Sequence, residues 1–111
     1  MIKVRIYRDS EGFIWGFEIK GHSGFAECGK DIVCAGISAL AYAALGALEQ
    51  LAGLDCCCKC EEEGHMICNI PNDTQEHLKP LIKIILETVI IGMKQIENSY
   101  SEHVLIEEQE V

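Results

Sequence analysis

Seventeen consecutive residues without a charge, from Ile32 to Leu48, constrain this chain more than any other part of it. The run is too long for a strand and reads as a helix, rich in alanine and glycine, with Ser38 and Tyr42 inside it. A helix with so little polar surface suits close packing against a sheet or a partner subunit. Its length reaches only the lower limit for crossing a bilayer, and no membrane contact is expected. Asp31 stands where an N-cap belongs, and the helix is expected to end near Ala52, with Gly53 as its C-terminal stop.

The rest of the chain supplies a sheet for that helix to cover. Ile2, Val4 and Ile6 alternate with Lys3, Arg5 and Tyr7, the period-two pattern of a half-buried strand. Turn residues Asp9-Ser10-Glu11-Gly12 lead to a second alternating run, Phe13 to Lys20, so the two strands form a hairpin that delivers Gly21 and His22 at its end. The segment LDCCCKCE, the turn Glu62-Glu63-Gly64 and the run HMICNI read as a second hairpin. After Pro71, the run Asp73-Thr74-Gln75-Glu76 resembles a capping box. Apolar residues then recur at spacings of three and four from Leu78 to Ile96, the mark of an amphipathic helix. Pro80 either kinks this helix or sits in its first turn, with the helix starting near Lys79. A short last strand around Val104-Leu105-Ile106 precedes an acidic tail expected to fray. The element order is ββαββαβ. It predicts an α+β fold in which two helices pack on one face of a four- to five-stranded sheet.

At 111 residues the chain has the size of one domain, and residues 1–111 are expected to form it. A net charge of -9 with nine scattered basic residues argues against direct binding to nucleic acid, and suits a basic partner or simple solubility. No apolar leader is present in the opening MIKVRIYRDS, so the expected location is the cytoplasm. Seven cysteines, an odd number, read there as thiols rather than as a disulfide framework.

Chemistry concentrates between Gly21 and Leu40. His22 follows the hairpin, a loop with glycines at 21, 24 and 29 comes next, and Cys34 falls in the first turn of the apolar helix. A thiol attacks as its thiolate, which the positive end of a helix and a nearby imidazolium both favour. The N–H groups of the first turn are also candidates to receive an oxyanion. Asp31 and Ser38, the latter one turn beyond Cys34, are the groups able to orient His22, although Asp31 serves equally well as a helix cap alone. A spacing of twelve residues between His22 and Cys34 is also what an ordinary loop histidine and helix start would show.

The run GHSGFAECGKDIVCAGISAL, placed after an N-terminal hairpin, resembles the signature of the ribosomal-processing cysteine protease family, Prp. Its core is Gly21-His22, Gly29 and Asp31 to Gly36, followed by Ser38 and Ala39, and ETVIIGMKQIENSY is similar to the family's second helix. The resemblance implies a homodimeric cysteine endopeptidase with Cys34 as nucleophile and His22 as base, supported by Asp31 and Ser38. It would remove a short, hydrophobic and basic N-terminal extension from a large-subunit ribosomal protein, cutting after paired aromatic residues, without a cofactor. The glycine-rich loop is expected to close on the substrate.

The cluster Cys56-Cys57-Cys58-Lys59-Cys60, with His65 and Cys68, has no place in that chemistry. It reads as core thiols or, less simply, a metal site, and the alternative to an enzyme is a non-catalytic ribosome-associated or metal-binding module. Cys28 reads as an incidental loop thiol. His77 and His103 are expected to face solvent, outside the site.

Overall fold

The alternation of residues 2–7 and 14–20 produces the expected hairpin of β1 (Ile2–Arg8) and β2 (Ile14–Lys20), with Ile2, Val4, Ile6 and Phe17 buried and Lys3 and Arg5 exposed. The computed structural model describes residues 1–27, 29–55, 58–62 and 64–111, the segment 58–62 by its main chain alone. The hairpin turn is closed by Asp9, whose carboxylate accepts the N–H groups of Glu11 and Phe13 and the indole N–H of Trp15.

The second hairpin pairs β3 (Cys58–Glu62) with β4 (His65–Asn69), and β4 runs antiparallel to β2, opposing Met66 to Ile19 and Cys68 to Phe17. β5 (Val104–Glu110) lies parallel to β1, from Ile2 opposite Val104 to Arg8 opposite Glu110. The acidic tail is therefore sheet rather than frayed end. Pairing β1 satisfies its backbone groups, and Arg8 lies 3.1 Å from Glu108. The five strands lie in the order β3-β4-β2-β1-β5.

Both helices join the buried side of that sheet in one hydrophobic cluster. α1 (Ile32–Gln50) buries Val33, Ile37, Ala41, Ala44 and Leu48, and α2 (Lys79–Ser99) buries Ile82, Ile85, Leu86, Val89, Ile90 and Met93. The glycines in the helices have a packing purpose. A Cβ on Gly36 would stand 3.1 Å from Cδ1 of Ile96, and one on Gly92 would stand 3.1 Å from the methyls of Leu40. The two helices thus run antiparallel and close together. α1 is long and apolar enough to cross a membrane, with a mean hydropathy of 1.8, but here its inner stripe packs into the core.

One helix ends slightly earlier than expected, and the other starts in one of the two ways expected for it but without its capping box. α1 ends at Gln50 rather than near Ala52, and Gly53 follows at φ +70° while the Leu54 N–H returns to the Leu48 carbonyl at 3.0 Å. The capping box does not form. The Thr74 hydroxyl turns back to the Pro71 carbonyl at 2.6 Å, a 3-10 turn covers Glu76–Leu78, and α2 starts at Lys79 with Pro80 in its first turn. Proline loses nothing there, since a first-turn N–H has no partner in the helix.

Candidate active site

The end of β2 and the start of α1 meet at an open cleft of about 970 Å³, into which His22, Asp31, Cys34 and Ser38 all face, along with Gly21, Gly24 and Gly29. The seven residues proposed from the sequence for the catalytic site thus lie at one place. Gly21 is required by the backbone: its φ is +96°, and a Cβ there would stand 2.6 Å from the Met1 carbonyl oxygen. Its N–H donates to the Gly64 carbonyl at 2.9 Å, which ties the start of the loop to the β3–β4 turn. His22 then lies over Gly64, whose absent side chain makes room for it. A Cβ on Gly64 would come within 3.1 Å of both Cε1 and Nε2 of the imidazole.

Asp31 is the N-cap of α1. Oδ1 accepts from the N–H groups of Val33 and Cys34, each at 3.0 Å, and Oδ2 accepts from the Ala26 N–H at 3.3 Å and from the Ser23 hydroxyl in a short bond. Burial would raise this carboxyl, but the Ser23 hydroxyl and the three N–H donors outweigh it and hold the group far below the usual carboxylate range. Among the described residues neither Asp31 nor Ser38 hydrogen-bonds His22, and no hydrogen bond joins His22 to Cys34. Of the two readings of Asp31 from sequence, the contacts present are those of the cap: it joins the helix start to the loop.

The same bonds revise the expectation for the first-turn amides. Those of Val33 and Cys34 go to the Asp31 carboxylate and that of Ala35 to the Asp31 carbonyl. They are engaged within the helix start rather than open to an oxyanion. The donor aimed at the Cys34 sulfur comes from the loop instead: the Ser23 N–H lies 3.3 Å from Sγ.

Ser23 gave no signal in the sequence, yet it is the buried polar residue of the site, 2% exposed. His103 was expected to face solvent and does not. It is half-buried, its Nδ1 lies 2.9 Å from the Ser23 carbonyl, and the Phe25 ring meets it edge-on at 5.5 Å. The reason is long-range, because the turn between α2 and β5 brings His103 beneath a loop eighty residues away in sequence. His65 also lines the cleft, and its Nε2 lies 2.7 Å from Glu18.

Among the described residues no group of three metal-ligating side chains converges. Cys28, Cys56, Cys57 and the side chains of Cys58 and Cys60 lie outside the described residues, so the cysteine cluster enters no geometry here. Cys68 is buried in the core.

A family model for "Cysteine protease Prp" matches residues 1–105. The chain is 30% identical over 107 residues to the ribosomal processing cysteine protease Prp of Bacillus subtilis, covering 96% of each. It is 31% identical over 111 residues to the protein of that name from Mycoplasma genitalium, covering 98% of this chain and 97% of the other. In three dimensions it resembles the ribosomal processing protease Prp of S. aureus solved with a covalently linked product peptide. That match has a TM-score of 0.79 and 28% identity, over 98% of this chain and 100% of the other. The same protease solved with a substrate peptide gives a TM-score of 0.81 at 25% identity, over the same shares.

Proposed function

The chain belongs to the cysteine protease Prp family, and from that premise we propose that this cysteine protease removes a short N-terminal extension from a large-subunit ribosomal protein, with Cys34 as nucleophile and His22 as base. One observation carries the assignment of roles: the two side chains enter one cleft from two different elements, the thiol on the first turn of α1 and the imidazole on the loop leaving β2. The names of the relatives and the peptide complexes of the S. aureus protease support the substrate class.

In this reading His22 accepts the Cys34 proton and the thiolate adds to the scissile carbonyl. The imidazolium returns the proton to the departing amine. Water, deprotonated by the same imidazole, then hydrolyses the thioester and frees both enzyme and acid. Asp31 and Ser38 act in support, Asp31 by holding the helix start in register with the loop. With the amides of Val33, Cys34 and Ala35 engaged, the oxyanion falls to the loop amides lining the cleft, Gly24 among them. Loop closure over the peptide belongs to the same reading.

The acidic chain, at net charge -9, suits a basic peptide, and seven cysteines suit the reducing cytoplasm. A homodimer is supported by the outer side of α1, where Ile32 and Tyr42 are 60% and 59% exposed beside alanines, an apolar strip suited to a second copy.

The test is cleavage of a synthetic peptide spanning such an extension, followed by mass spectrometry. Wild type should cut at one bond and Cys34→Ala should not. Undiminished cleavage by Cys34→Ala overturns the reading, and stoichiometric zinc lost on changing Cys58 or Cys60 would favour a metal-binding module instead.

A further inference from the structure

Ser23 uses every polar group it has, and each one faces a different part of the site. Its N–H donates to Cys34 Sγ at 3.3 Å, its hydroxyl donates to Asp31 and accepts the Phe25 N–H at 3.1 Å, and its carbonyl meets His103 Nδ1 at 2.9 Å. A carbonyl oxygen only accepts, so Nδ1 of His103 carries the proton and donates. The residue is 2% exposed, so each of these groups would be costly to leave without a partner.

From this we infer that Ser23 and His103 are positioning residues for the thiol, resting on the reading that Cys34 is the nucleophile. The peptide plane before Ser23 carries the N–H aimed at sulfur, and the peptide plane after it carries the carbonyl held by His103. With the hydroxyl locked to the cap of α1, neither plane is free to rotate. An anionic sulfur accepts a hydrogen bond more strongly than a neutral one, so a fixed N–H stabilises the attacking form and sets its direction. Because Ser23 directly follows His22, the same clamp sets the backbone position from which the imidazole reaches the cleft. His103 is itself held: the Phe25 ring lies edge-on to it at 5.5 Å and to Tyr100 at 5.4 Å. The base loop and the nucleophile helix are thereby fastened to the turn before β5 through His103, which does not touch the reacting atoms.

The experiment compares His103→Phe, His103→Asn and Ser23→Ala with wild type. It measures the rate of iodoacetamide alkylation of Cys34, resolved by peptide mass spectrometry from the other cysteines, and kcat and KM for the substrate peptide. Phenylalanine keeps a ring of similar size and loses the donor; the asparagine amide nitrogen occupies nearly the place of Nδ1 and donates. Loss of one such bond corresponds to roughly a 3- to 10-fold effect. His103→Phe and Ser23→Ala should therefore slow alkylation and kcat by about that factor with KM changed less than about twofold, and His103→Asn should restore both to within about twofold. Wild-type rates in His103→Phe or in Ser23→Ala overturn the inference, as does a His103→Asn variant as slow as His103→Phe. If His103→Phe does not fold, a slow Ser23→Ala beside a fast His103→Asn upholds it. Alkylation follows this pattern whether or not the peptide is cut, so a wrong substrate leaves the positioning result readable.

Discussion

Replacing Gly64 with alanine should separate the stability of this fold from its chemistry. The residue has φ +77°, a left-handed conformation that costs an L side chain roughly 1–2 kcal/mol. Its new Cβ would stand 3.1 Å from Cε1 and Nε2 of His22, against an ordinary carbon contact of about 3.5–4.0 Å, so the imidazole must move by roughly 0.5 Å or more. His22 is exposed and can swing without opening the core, so the stability loss should stay near the backbone strain alone, or about 4–8 °C in melting temperature per kcal/mol. Catalysis is far less tolerant, because a base misplaced by about 1 Å can cost on the order of 100-fold. We expect kcat on the extension peptide to fall roughly 10- to 100-fold in a protein that still melts cooperatively. Gly53→Ala is the control: Gly53 has φ +70° and nothing within 4 Å of its Cβ position, so it should show the same melting loss with normal turnover. If Gly64→Ala turns over like the Gly53 variant, the position of His22 over Gly64 is not the one from which it reacts.

Acid should reach the helix start late. The Asp31 carboxyl is held far below the usual range in the folded state, so unfolding takes up a proton there; its contribution is complete above the ordinary carboxylate range and shrinks as pH falls below about 4. Thermal melts between pH 2 and 6 should show a steeper acid decline for wild type than for Asp31→Asn, and equal slopes would refute the assignment. In the core, Phe17→Ala empties a fully buried position and should cost about 3–5 kcal/mol by urea denaturation. A loss below about 1 kcal/mol would mean that the sheet collapses into the space.

What could be read from sequence was whatever depends on neighbours along the chain. Alternation in residues 2–7 and three-four spacing from Leu78 to Ile96 report a strand and a helix because period alone decides which side is buried. The capping box failed for a local reason of another kind, since Pro71 offered the Thr74 hydroxyl a nearer acceptor. In the site, residue type and short spacing made His22, Cys34 and Asp31 candidates, and the resemblance carried by residues 21–40 singled them out. Ser23, Gly64 and His103 were not among them. A serine beside a histidine is unremarkable, a glycine in a Glu-Gly turn already has an explanation, and the burial of His103 exists only once α2 has turned back toward the sheet.

The parallel pairing of β1 with β5 also bears on how the support beneath the site assembles. β1 finds that neighbour in residues 104–110, a closure of about a hundred residues that weighs against fast folding. The turn just before β5 brings Tyr100 and His103 under the loop of Ser23 and Phe25. His22 and Cys34 lie well before those residues in the chain, and the fastening beneath them comes from the far end of the fold. Residues far apart along the chain therefore have to meet before the loop beside Cys34 is held in place.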